Sequence, residues 1–487
     1  MTRTIKKLNW WIQSKISSLL YPIDDSLTYI GVTGTDGKTT TCNFLYEIAK
    51  KHGFVVLMIT TVGANFYFNG KEEVVDFKLH STSYISFVFK HFIKNIKNGK
   101  FIEALTPTYK KYDKYTAEYH RTTPLAYEIR KMIRKYVDRG ANMIILESTS
   151  HALDQYRIAD IKFDVAVYTN ITHEHLDYHG TYENYVKAKA RLMTMLKDDG
   201  FVILNKSDQS FDFLISYANK YKIRHVDYQF DEYQDLDPKN FWINFYENYT
   251  VISKNKDKKA KDNINVSLNI EGKYNIFNAG AAATAFYYYF DKKPEYISSG
   301  LSHLKTISGR MNILSKNPDI IVDFAHTPNA MKVILQEIKQ RTKGKLWVVF
   351  GCAGLRDVEK RYLMGEIAGK YADCILVTAE DPRTERLEDI NDQIIKNGIL
   401  KNKDIRYRIL RYRVNMDLST DIGEKLVIRF DKDDISSRTD AIKLAITKAE
   451  KNDTVLILGK GHEKTMCFGE KEIPYNDIEF VSQLIKN

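Results

Sequence analysis

Residues 31–40 read GVTGTDGKTT, directly after the apolar stretch Leu27-Thr28-Tyr29-Ile30 and directly before Thr41-Cys42-Asn43-Phe44-Leu45. The pattern predicts a strand that runs into a glycine-rich loop and then a helix. Such a loop points consecutive backbone N–H groups at a phosphate, and the helix N-terminus adds the positive end of its dipole. Gly34, Thr35, Asp36, Gly37, Lys38, Thr39 and Thr40 are therefore the candidate phosphate cradle. Lys38 is placed to reach the β- and γ-phosphates, and Thr39 or Thr40 to hold Mg²⁺ through a hydroxyl.

Length bounds the rest. A chain of 487 residues holds two or three domains. It lacks any run of about 18 apolar residues and any secretory leader pattern, so a cytoplasmic protein is expected. Cys42, Cys352, Cys374 and Cys467 are scattered and form no C-x-x-C pair, which points to neither a zinc site nor a disulfide framework. The formal net charge of +11 comes from lysines dispersed among Tyr, Asn and Ile. No nucleic-acid module accompanies it, so nucleic acid is not expected as a partner.

Three segments are expected. Residues 1–26 start with an amphipathic helix (1–22), on which Trp11, Ile12, Ile16, Leu19 and Leu20 share a face near Lys6, Lys7 and Lys15. That helix suits packing on the main domain, or peripheral contact with an anionic membrane. Residues 27–308 alternate strands (27–32, 55–60, 142–147, 164–169, 201–204) with helices, the pattern of a mostly parallel sheet covered on both faces. Residues 81–119 interrupt it as an insertion with a helix near 86–98. KNKDKKAKDN (254–263) reads as a solvated hairpin tip. Residues 309–487 repeat the alternation, with strands at 319–324, 346–350, 373–378 and 454–458. The fold class is thus α/β, a P-loop ATPase domain with a mostly parallel sheet followed by a Rossmann-like C-terminal domain. Ligands in such sheets bind at the carboxyl ends of the strands.

Gly31 does not fall at the G-x-x-x-x-G-K-[ST] spacing; the loop instead has the form G-T-[DN]-G-K-T-T, which resembles the Mur ligase family of ATP-dependent amide ligases. ILESTSHALDQYR (145–157) and DVAVYTNITHEHLDYHGTYENYVKAKARL (164–192) resemble the muramyl-tripeptide branch of that family, in order and spacing. The resemblance implies ATP and two Mg²⁺ ions, with Glu147, His175 and Thr39 at the metals. It implies that Lys189 is carbamylated, a negative charge on a longer arm than any standard side chain supplies. His173-Glu174-His175 stands where the family has R-D-H, and His173 reads as a surface substitution. GKYNIFNAGAA (272–282) resembles the adenine-side helix and assigns Asn275 and Asn278. Arg310 of Gly309-Arg310-Met311 is implied to contact phosphates, and Asp323 and His326 of DFAHTP to lie near the nucleotide.

The resemblance extends to the two substrates being joined. Thr122, Thr123, Thr149, Ser150, Gln155 and Arg157 match positions that hold the muramyl-peptide end. Family members bind UDP with an N-terminal domain, and about 30 residues before the loop are too few for it. The uridine is therefore expected to be held differently, or by a partner. GCAGLRDVEKR (351–361), Glu380-Asp381-Pro382-Arg383 and Gly459-Lys-Gly-His-Glu463 resemble the amino-acid-binding motifs. Arg356 and Arg383 suit a bidentate carboxylate clamp and Glu463 an ammonium, with Asp381 and Gly459 beside them. Arg383 favours meso-diaminopimelate; Asp381, where the branch has Asn, opposes its carboxylate or selects another amine. The reading is a monomeric ADP-forming ligase of peptidoglycan synthesis. The alternative is a related ligase with a lipid-linked, folyl-polyglutamate-like or cyanophycin-like acceptor. A P-loop switch or motor leaves Arg356, Arg383 and Glu463 without a use.

Overall fold

The computed structural model describes residues 3–75, 124–290 and 293–486. The insertion expected at 81–119, its helix, and Thr122 and Thr123 lie outside the described residues.

A first sheet contains β1 (Thr28–Thr33), β2 (Val56–Ile59), β3 (Ala64–Phe68), β4 (Lys71–Val75), β5 (Met143–Glu147), β6 (Phe163–Tyr168), β7 (Leu196–Asn205), β8 (Arg224–Phe230), β9 (Phe241–Phe245), β10 (Tyr249–Ser253) and β11 (Asp262–Val266). Their order is β11-β9-β10-β8-β7-β6-β1-β5-β2-β3-β4. Neighbours from β2 to β10 run parallel; β3 and β4 at one edge, and β9 and β11 at the other, add antiparallel pairs. The central strands read as unbroken apolar runs because both of their faces are covered. Ile30 and Val32 of β1 join one core with Met143, Ile145, Val165 and Val167. Tyr29, one residue out of phase, joins the opposite core with Ile144, Leu146 and Ala166. Each such buried side chain contributes about 2 kcal/mol.

The basic run 254–263 is not a hairpin tip. β10 and β11 do not pair with each other; both pair with β9, which lies between them. The run therefore carries the chain across β9.

The N-terminal helix spans Arg3–Leu20 and packs on the helix Ala126–Val137. Lys7 Nζ and Lys15 Nζ pin it to Asp154 and Asp160, each at 2.7 Å. No described helix is long and apolar enough to cross a membrane.

The second sheet is built from β12 (Asn312–Lys316), β13 (Asp319–Asp323), β14 (Leu346–Phe350), β15 (Cys374–Val377), β16 (Arg406–Arg411), β17 (Glu424–Arg429) and β18 (Thr454–Leu458). Its order is β12-β13-β18-β14-β15-β17-β16. Only β12 is antiparallel to its neighbour. A short hairpin, β19 (Thr465–Phe468) and β20 (Lys471–Pro474), follows. In both sheets the chemistry-bearing segments leave the carboxyl ends of parallel strands. Those ends face each other across one cleft of about 1160 Å³.

Candidate active site

The loop after β1 turns into the helix Lys38–Lys51 at Gly37, which has φ 80° and no side-chain cap. The first-turn N–H groups are then left for a ligand rather than for the chain. A Cβ at Gly37 would strike Oδ1 of Asn278, and one at Gly34 would strike Oγ1 of Thr169, so these glycines permit close packing of the loop. Asn170 Oδ1 takes the Asp36 N–H at 2.9 Å. Lys38 Nζ donates to Thr35 O at 2.7 Å, folded over the loop.

Beside this loop stand the ends of β5 and β6. Glu147 closes β5 and is almost fully buried. Its Oε2 accepts from Thr39 Oγ1 at 2.9 Å and from the Thr61 N–H at 3.1 Å. His175, at the start of a short helix, has φ 55°, and its Nε2 lies 3.4 Å from Glu174 Oε2. Lys189 is 1 % exposed and its Nζ donates to Gly34 O at 2.5 Å. Burial, helped by Lys38, pushes the Lys189 pKa well below that of an ordinary lysine. The shift favours the neutral amine, and Nζ points at the phosphate loop.

Glu147 and Thr39 supply hard oxygen donors, the kind Mg²⁺ prefers, and no described cluster of three acids, thiols or imidazoles forms a complete cage. That donor set fits a magnesium ion that shares its coordination with substrate phosphates.

Across the cleft, the loop after β13 presents Asp323, Phe324 and His326. Asp323 accepts from the N–H groups of Met311 and Ala325, both at 2.7 Å. Arg310 lies over the Phe324 ring at 4.6 Å. Burial and the Lys360 charge bring the His326 pKa down to about 3. The two units are joined directly at the loop: Asp36 accepts from Thr327 Oγ1 at 3.0 Å and from Asn329 Nδ2 at 2.9 Å.

Glu174 makes a second bridge, with Lys360 Nζ at 3.6 Å. Burial alone would raise the Glu174 pKa, but His175 and Lys360 outweigh it and keep the carboxylate ionised. His173 makes a third, 3.1 Å from Asp357. It is an interdomain contact, not the surface substitution expected.

The amino-acid motifs cluster at the ends of β14, β15 and β18. Arg383 Nη1 donates to Gly354 O at 2.6 Å. Burial, with Arg383 nearby, lowers the Arg356 pKa, so two guanidinium groups share one neighbourhood. Asp381 does not point its charge at a ligand. Its Oδ1 accepts from Lys460 Nζ and from the Cys467 N–H, both at 2.9 Å. Lys460 also lies 2.5 Å from Glu463. The Asn-to-Asp departure is thus answered by an internal ammonium.

Most of the expected residues converge. Lys38, Thr39, Glu147, His175, Lys189, Asn278, Arg310, Asp323, His326, Thr149, Ser150 and Glu463 line the one cleft. Asn275 is fully buried beneath it, where its Oδ1 fixes the Asn278 amide at 2.9 Å. Arg157 Nη2 donates to Gln155 Oε1 at 2.6 Å, and neither residue is part of the cleft lining. Glu174, Asn329, Lys360 and Lys460 were not singled out from sequence. Glu174, Lys360 and Lys460 stand inside the quoted motifs, and the signal missed was the charge each one answers, across the two units for Glu174 and Lys360 and within the C-terminal unit for Lys460.

Comparison with known proteins agrees with this geometry. Residues 32–286 match the Mur ligase middle domain, and residues 309–461 match the Mur ligase, glutamate ligase domain. The chain is 30% identical over 470 residues to UDP-N-acetylmuramoyl-L-alanyl-D-glutamate--2,6-diaminopimelate ligase 1 of Clostridium acetobutylicum, an alignment covering 94% of this chain and 78% of that protein. It is 32% identical over 483 residues to the UDP-N-acetylmuramyl-tripeptide synthetase of Borreliella burgdorferi, covering 97% and 79% respectively. Among solved structures, E. coli FolC in complex with ADP shares the fold with a TM-score of 0.60 at 18% identity, covering 97% of this chain and 92% of that one. With the loop, the buried acid and the facing motif cluster in one cleft, the chain belongs to the Mur ligase family of ATP-dependent, ADP-forming amide ligases.

Proposed function

We propose that this enzyme adds 2,6-diaminopimelate, or a diamino acid of similar shape, to the D-glutamyl carboxylate of a muramoyl-L-alanyl-D-glutamate acceptor in peptidoglycan synthesis. The observation that carries the reading is one cleft lined by a triphosphate loop with a buried acid and by Glu463 of the facing unit, a unit in which two guanidinium groups, Arg356 and Arg383, also neighbour each other. The name of the Clostridium relative supports the acceptor and the amine, and that of the Borreliella relative supports a muramyl-tripeptide product.

In this reading the loop N–H groups and Lys38 hold the γ-phosphate as it passes to the acceptor carboxylate, giving an acyl phosphate and ADP. Thr39, Glu147 and His175 would hold Mg²⁺, whose charge offsets that of the phosphates. The neutral Lys189 amine adds CO₂, forming an N–C bond and releasing one proton, and the carbamate would complete a second metal position. Thr149 and Ser150 border the acceptor end. Arg356 and Arg383 bind the distal carboxylate of the amino acid, and Glu463 its ammonium. The amine attacks the acyl carbon and phosphate leaves. The contacts from Asp36 to Thr327 and Asn329, and from Glu174 to Lys360, hold the two units closed, which excludes water from the acyl phosphate.

The test supplies ATP, Mg²⁺ and UDP-MurNAc-L-Ala-D-Glu with a panel of amines and measures ADP and phosphate. ADP formation that needs both acceptor and diaminopimelate is expected. AMP and pyrophosphate, or turnover indifferent to the amine, would refute the reading. Gly37→Ala is expected to weaken nucleotide binding about tenfold or more. The left-handed conformation costs a non-glycine residue about 1–2 kcal/mol, and the added methyl displaces Asn278. Calorimetric titration with Mg·ATP checks it.

A further inference from the structure

Thr39, Glu147, His175 and Lys189 handle the terminal phosphate in the reading above, on which this inference rests, and the nucleobase of a bound triphosphate takes another part of the same cleft. Tyr274 and Phe277 of the first unit, and Val333 and Ile334 of the helix Pro328–Arg341, also line the cleft. Such apolar and aromatic faces fit a planar ring but do not tell one purine from another.

Glu337 lies four residues after Val333, on the same face of that helix, and lines the cleft as well. Its Oε2 accepts the Lys273 N–H at 2.9 Å, a bond that crosses from one unit to the other and fixes the carboxylate. Among the described residues nothing donates to its Oε1. Asp323, which also lines the cleft, already accepts from the N–H groups of Met311 and Ala325. Glu337 is the carboxylate with an acceptor to offer the base.

We propose that Glu337 selects adenine by accepting a hydrogen bond from its exocyclic amine. Adenine presents an N–H donor at C6, whereas guanine and hypoxanthine present an oxygen acceptor there. A carboxylate pairs with the first and repels the second. A polar group built to pair discriminates more strongly than an apolar wall does. Glu337 belongs to the C-terminal unit, so base recognition also favours the closed arrangement of the two units.

Calorimetric binding of Mg·ATP and of Mg·ITP (inosine triphosphate) to the full chain tests this without acceptor or amine. Wild type is expected to bind ATP at least about tenfold more tightly than ITP. Glu337→Ala should lose about tenfold for ATP and little for ITP. Glu337→Gln keeps an oxygen for the Lys273 N–H and turns an amide donor toward the base, so it should bind ITP better than ATP. Equal loss for both nucleotides in Glu337→Ala, or an unchanged preference in Glu337→Gln, overturns the proposal alone. Failure of wild type to bind either nucleotide overturns the nucleotide-site reading with it.

Discussion

Lys189→Ala is expected to lower ligase turnover by about a thousandfold or more, the scale on which removal of one charge-stabilising group from a preorganised site is felt. The protein should still fold. Lys189 is buried and its pKa is pushed well below that of an ordinary lysine, so folding favours loss of its proton. For a base whose folded pKa is depressed, the unfolded chain binds more protons. The stability penalty is therefore full below the lowered folded pKa, and stability recovers as pH rises from there through the ordinary value of 10.5. Alanine removes that penalty, so the variant's melting temperature at pH 7 should match or exceed wild type once the lost contact with Gly34 O is offset. Partial rescue of turnover by millimolar formate or acetate would mark the missing group as a carboxylate-like charge. Lys187, paired with Glu183 on the outer face of the same helix, should tolerate alanine with rates nearly intact. Retention of more than a tenth of wild-type activity by Lys189→Ala would refute the carbamate. Loss of folding would refute the neutral-amine argument.

Residues of this kind were legible in the sequence because each lies in a short motif whose spacing carries its own geometry. Lys38 and Thr39 follow from a strand-loop-helix pattern, and Glu147 from a strand end beside it. What joins the motifs was not legible. Asp36 meets Asn329 across 293 positions of chain, and Lys460 meets Asp381 across 79; local periodicity holds no information about such pairs. The same limit explains Asp381, which looked like a repulsive charge until its ammonium partner was placed beside it. The central strands β1, β5, β6, β14 and β18 were visible because burial on both faces makes them uniformly apolar. The edge strands β4 and β16 were not, since their exposed faces mix charged and polar residues into the pattern. Register misled at 254–263, where β9 had already taken the position a simple hairpin would fill.

Asp477→Ala is expected to produce the largest loss of stability. Arg438 and Asp477 are both fully buried, joined by Nε to Oδ1 at 2.9 Å and Nη2 to Oδ2 at 2.7 Å. Removing the carboxylate strands a guanidinium away from water, which costs about 3–5 kcal/mol. For a cooperative unit of this size that corresponds to a fall of roughly 6–20 °C in melting temperature. The guanidinium also reaches the site. Its Nη1 donates to Ala379 O at 3.1 Å and its Nη2 to Leu458 O at 2.9 Å. Those carbonyls stand immediately before Glu380-Asp381-Pro382-Arg383 and Gly459-Lys460-Gly461-His462-Glu463, so one buried side chain sets the spacing of both amino-acid motifs. The variant should therefore raise KM for the amine while leaving Mg·ATP affinity close to wild type. A double replacement, Arg438→Met with Asp477→Leu, separates the two roles. Apolar residues of similar volume can match or exceed a buried ion pair in stability, so melting temperature should recover. The amine KM should not, because nothing then ties the two carbonyls together. Recovery of both would reduce Arg438 to a packing role, and a wild-type melting temperature for Asp477→Ala would remove the pair from any account of stability.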